Sequence, residues 1–212
     1  MRKTLASWRL FWVLALGISA AICLGLPGED LHSQRATDAL ILRCVRLALP
    51  CFLIAFTASS WAALWPSRAT RWLLSNRRYF GLAFAFGMAW HLAFVGYSMA
   101  SFGVHLNRTA LTLDAIGLAF LILLTITSFR WFGRQLTPSH WRRLHKSGVY
   151  AIWLLATYIY AESARGDRDL FHEAVLALML AAWLVRAAAW AQGRLRAQTG
   201  ATECGKPSSS RY

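Results

Sequence analysis

Apolar residues occur along this chain in blocks separated by short polar, arginine-rich connections. Six blocks run approximately from Leu10 to Leu26, Ala39 to Trp65, Tyr79 to Phe102, Ala110 to Phe129, Val149 to Ala161 and Leu170 to Trp190. The fifth is extended backward by Trp141 to Gly148. Blocks of roughly 18 to 27 residues are long enough to cross a bilayer as helices. The pattern predicts an all-α membrane protein, a bundle of six transmembrane helices. The second block carries Arg43 and Arg46 in its first turns, so its membrane part is expected to begin near Leu47. Pro50 is compatible with that span, because neighbouring groups in a lipid-embedded helix compensate a proline.

Composition agrees with the pattern. Of 212 residues, 57% are hydrophobic and 15% charged, against about a quarter charged in soluble domains. The net charge of +14 would suggest a nucleic-acid partner in a soluble protein, but its distribution gives a different answer. With the N-terminus inside, sixteen Lys and Arg fall on the inner side and six on the outer, Arg186 being left out because it lies within the last span. This is a strong positive-inside bias. Both termini are therefore expected to be cytoplasmic, in a multi-pass protein of the bacterial inner (cytoplasmic) membrane, with membrane lipid and no nucleic acid as partner. The first apolar stretch exceeds the usual core of a signal peptide and reads as an uncleaved span.

The domain expectation is a six-helix transmembrane domain over 1–191 and a disordered cytoplasmic tail over 192–212. No GxGxxG or P-loop is present, and no segment outside the helices is long enough to fold alone. Flavin or nicotinamide chemistry would have to be supplied by another protein. The four cysteines, Cys23, Cys44, Cys51 and Cys204, form no CxxC pair. Cys44 and Cys51 stand about 10 Å apart along one helix, too far for a disulfide. Most of the eleven tryptophans lie near span ends, as in an interfacial belt. Trp90 lies mid-span, where it would pack on a cofactor or between helices.

Candidate chemistry rests on histidine. His91 lies near the centre of the third block, where an ionisable side chain is costly unless partnered and by default suggests function. Imidazole is also well suited to hold a haem iron axially. His145 opens the fifth block within Pro138–Trp153. The bland alternatives are a hydrogen bond to a facing helix for His91 and a solvated polar face for His145. His105 follows His91 by fourteen residues and Tyr158 follows His145 by thirteen, spacings of about 20 Å that return near the same helical face. His32, His140, His172 and Glu173 read as interfacial or solvated.

The segments Arg77-Arg78-Tyr79-Phe80-Gly81-Leu82 leading to His91, and Trp141-Arg142-Arg143-Leu144-His145-Lys146 leading to Val149-Tyr150, resemble the ferric reductase-like transmembrane domain family. That family includes the bacterial haem-binding membrane subunit of the methionine sulfoxide reductase system. The resemblance covers roughly residues 66–160, within a ferric reductase-like core of about 39–161. It implies b-type haem, one or two, held between the third and fifth spans and passing electrons across the membrane. The implied axial ligands to the haem iron are His91 and His145, with His105 and Tyr158 as further candidates. Arg77, Arg78 and Arg143 are candidates for pairing with haem propionates.

Two registers stay open. In one, His91 and His105 are the ligands of the third span; in the other, Arg77 stands at the first ligand position, His91 at the second, and His91 faces Tyr158. Depth counting favours the second, since His91 is thirteen residues past Arg78 whereas His145 is two past Arg143, a difference of about 16 Å. The implied role is the electron-transfer subunit of an oxidoreductase, served by a separate redox partner protein or quinone, with flavin only from a partner. The alternative is a haem-free scaffold, assembly factor or small transporter.

Overall fold

The computed structural model describes residues 8–24, 33–104, 108–166 and 170–204. They form helices α1 (Trp8–Cys23), α2 (Gln34–Leu64), α3 (Arg68–Phe102), α4 (Arg108–Ser128), α5 (Arg130–Gly133), α6 (Pro138–Gly166) and α7 (Leu170–Cys204), with no strand among the described residues. Four of these helices, α2, α3, α4 and α7, are long and apolar enough to cross a membrane. At 16 residues, α1 is about 24 Å long and shorter than the ~30 Å hydrocarbon layer. In α6 the apolar stretch is bounded by the polar turns PSHWRRLHKSG and AESARG, which dilute its hydropathy.

Contacts between helices set their directions. Trp8 meets Tyr79, and Trp90 Nε1 donates to Ser19 Oγ at 3.2 Å, so α1 runs parallel to α3. Phe52 packs on Phe84 and Ile41 lies by His91, so α2 is antiparallel to α3. Along α4 and α6 the register is constant and antiparallel. Gly117 meets Leu155, Gly148 meets Leu124 seven residues further along α4, and Thr127 meets His145 three residues beyond that. Trp153 Nε1 donates to the Met179 carbonyl at 3.1 Å, while Tyr160 lies by Phe171, which makes α6 and α7 antiparallel. Thus α1, α3 and α6 point one way, and α2, α4 and α7 the other. In cross-section α2, α3, α4, α6 and α7 form a ring in that spatial order α2–α3–α4–α6–α7, closed by α7 on α2, with α1 against the outside of α2 and α3.

The tightest pair is α2 with α3. A Cβ at Gly87 would stand 2.7 Å from that of Ala48, so the absence of a side chain there lets the two backbones approach. This is the small-residue packing that holds helices together in lipid, where apolar burial alone gives no preference. One apolar cluster joins α1, α2 and α3 around Ile22, Cys44 and Ala83. A second joins α2, α6 and α7 around Phe56, Trp153 and Met179. Cys44 and Cys51 are buried free thiols, as expected from their spacing.

Two boundaries differ from the sequence expectation. The stretch 66–78, read as a connection, is helical from Arg68. Ser67 and Thr70 form a reciprocal capping box that satisfies the first amides and starts α3 eleven residues before the apolar block. The second concerns the tail expected to be disordered from Gln192: α7 continues to Cys204. The residues AQGRLRAQ beyond Trp190 are mostly strong helix formers, and adding a turn to an existing helix needs no new nucleation. Residues 205–212 of that tail lie outside the described residues.

Candidate functional site

Five ring helices and α5 line a cavity of about 1030 Å³ at the end of the bundle where α3 begins and α4 ends. It exists because α3 packs on α1, α2 and α4, and α6 on α4 and α7, leaving a gap between α3 and α6. The walls are apolar, with Phe52 and Phe56 from α2, Leu82 from α3, Leu121 and Leu124 from α4 and Ile152 from α6. Gly81 faces open space, with nothing within 4 Å of where its Cβ would stand. Six cationic residues, Arg77, Arg78, Arg134, Arg142, Lys146 and Arg186, also line the cavity, and no Asp or Glu does.

His145 lies in this lining. Its ring stacks on Trp141, with centroids 4.1 Å apart, and Nε2 is 3.0 Å from Thr127 Oγ1. The Thr127 hydroxyl gives its own proton to the Leu123 carbonyl at 2.6 Å. It therefore accepts from His145, so the Nε2–H donates and Nδ1 holds the lone pair. Trp141 Nε1 donates to the Thr127 carbonyl at 3.1 Å, fixing the indole on which the imidazole rests. Arg77 of α3 is within electrostatic reach of this ring.

His91 is placed elsewhere. Its Nδ1 stands 3.3 Å from the Ile41 carbonyl. A carbonyl only accepts, so Nδ1 carries the proton and Nε2 the lone pair. Asp114 of α4 is within electrostatic reach of it. Arg77 and His91 are fourteen residues apart on α3, about 21 Å along the axis, so the two histidines occupy different levels of the bundle. Extending the α4–α6 register by three residues from Gly117 and Leu155 sets Tyr158 at the level of Asp114, hence of His91. Tyr158 is 49% exposed and does not line the cavity.

The remaining candidates divide similarly. His105 lies outside the described residues, as does His32. Arg77 and Arg78 line the cavity. Arg143 is exposed and does not line the cavity, whereas its neighbour Arg142 does. His140 accepts or donates at Thr137 Oγ1, 2.6 Å away and exposed. Trp90 packs between helices, bonded to Ser19 and stacked on Phe94. Among the described residues no three His, Cys, Asp or Glu side chains come together as a metal-ligand group.

Sequence reasoning passed over Arg186. Its Nε donates to Tyr150 Oη at 3.0 Å, Nη1 donates to the Phe56 carbonyl, and the guanidinium lies over both rings. An arginine inside LALMLAAWLVRAAAW was a legible signal, since an ionisable residue in a span is costly.

The fold and cavity define a helical, multi-pass membrane protein. No family model, curated protein or solved structure matches the chain.

Proposed function

We propose that the chain is a b-type haem protein that carries electrons across the bacterial inner membrane to a separate partner or acceptor, in the manner of the ferric reductase-like domains. The observation that carries this reading is His145, an imidazole in an apolar-walled cavity with a cationic rim. The cavity lies at the upper end of the volumes usual for ligand pockets, about 300–1000 Å³. When bound, haem supplies reversible one-electron chemistry. The chain would hold it with a ring nitrogen of His145, apolar walls that exclude water, and Arg77, Arg78 and Arg142 to pair with its carboxylates. Trp141 would hold the His145 ring at the cavity wall, and Thr127 engages its Nε2 when no group is bound. His91 has its Nε2 lone pair set by the bond to Ile41, as metal-bound histidines commonly do, but it belongs to a second level of the bundle. Electrons enter from a cytoplasmic or quinone donor, and flavin or nicotinamide chemistry belongs to a partner.

The alternating helix directions support six spans with both termini cytoplasmic. In this arrangement the cationic cavity mouth faces the cytoplasm, as the positive-inside bias asks.

Pyridine haemochrome quantification per polypeptide tests the reading on protein expressed with ample haem. The wild type is expected to show reducible Soret and alpha bands, His145→Ala to lose the inner-cavity haem, and His91→Ala to keep it. Absence of both bands in the folded wild type would sink the proposal. A haem-free scaffold or small transporter is favoured by one observation, the engagement of the His145 Nε2 in a bond to Thr127. On that reading His145→Ala alters stability alone.

A further inference from the structure

Arg77, Arg134 and Arg142 at the cavity mouth are exposed and solvated. Arg186 and Arg78 are part-buried. Arg186 meets the Tyr150 hydroxyl, the Phe56 carbonyl and two aromatic rings, all of them neutral. Arg78 lines the same cavity, and its Nε is buried without a hydrogen-bond partner. The salt bridge among the described residues is Arg165 to Glu162, exposed and remote from the site. Part-buried cationic groups without a counter-charge are costly to desolvate, and here both line a space with apolar walls.

The haem reading does not exhaust this charge, because a pair of propionates faces six cations. What the walls and the charges together recognise is an amphiphile with an anionic head. The surrounding bilayer presents such a molecule at the level where the α3 and α6 arginines stand. We propose that the cavity is a site for an acidic phospholipid, whose headgroup phosphate is bound by Arg78 and Arg186 and whose acyl chain lies along Phe52, Leu82 and Leu121. A phosphate offers several acceptor oxygens to guanidinium forks. The lipid would occupy the space, and use the Arg78, that the haem reading also claims, so the two are alternative occupants of the cavity and are tested separately.

The test is native mass spectrometry of the full chain released from nanodiscs containing equal phosphatidylglycerol and phosphatidylcholine, with thermal melts in each lipid alone. The wild type is expected to retain phosphatidylglycerol over phosphatidylcholine by about tenfold or more and to melt higher in it. Arg78→Gln with Arg186→Gln should remove the preference. Arg78→Lys with Arg186→Lys should keep most of it, and Arg165→Gln all of it. Equal retention of the two lipids by the wild type would overturn the proposal. So would an unchanged preference in the folded glutamine variant, or inorganic phosphate alone reproducing the stabilisation. Haem content is read on the same samples: absent haem with intact lipid preference counts against the functional reading alone.

Discussion

His91 and His145 have the same side chain, but the groups beside them set opposite nitrogens free. A carbonyl at Nδ1 leaves the Nε2 lone pair of His91 available; a hydroxyl that has already given its proton to Leu123 fixes the proton of His145 on Nε2. Thr127 is thus the residue that positions His145. Thr127→Val removes the acceptor and leaves a part-buried N–H unsatisfied, a loss of about 1–3 kcal/mol. Denaturation of haem-free protein should show that loss, with a smaller one for Thr125→Val, which forfeits only a bond to the Leu121 carbonyl of its own helix. The sequence singled out both histidines because each is polar beside an apolar run. It could not show which one lines a space, since that depends on the helix opposite. Arg143 illustrates the same limit: next to Arg142 in sequence, it points about 100° away around the helix.

At the scale of elements, packing is directed by small residues. Gly87 lets α2 and α3 touch at Ala48, and Gly148 gives α6 its seat on Leu124, 3.1 Å from where a Cβ would stand. Gly87→Leu forces the α2–α3 backbones apart, and overpacking of this kind costs about 1–3 kcal/mol. A thermal melt in detergent should fall accordingly. Gly193→Leu, with nothing within 4 Å of its Cβ position, should leave it nearly unchanged. The helices themselves were legible from apolar block length. Their ends were not, because the capping of α3 by Ser67 and Thr70 and the extension of α7 past Gln192 depend on local hydrogen bonding and helix propensity, which apolarity does not report.

At the scale of the molecule, five helices close a ring over a cavity with α1 outside it, although among the described residues four helices are long and apolar enough to cross a membrane on their own. Helix α6 shares its register with α4 from His145 to Leu155, and on the proposed six-span topology it crosses at the same depth despite polar ends. Alkaline phosphatase fused after Gly166 should therefore be active outside the cell, and fused after Leu136 inactive. Activity in the reverse order, or inactivity at both, would show that α6 does not cross.

The sequence by itself determined that the chain is helical, that its helices suit a membrane, and which end of the bundle carries the charge. Each of these follows from local quantities, block length and the sign of the connections. Only the tertiary structure decided that His145 borders the cavity while His91 lies about four helical turns away, and that Arg186 closes the same cavity from α7. In lipid every apolar face is equally acceptable, so helix neighbours and register are set by shape, small residues and interhelical hydrogen bonds. Those contacts join residues far apart in the chain, as Arg186 joins Phe56 and Tyr150.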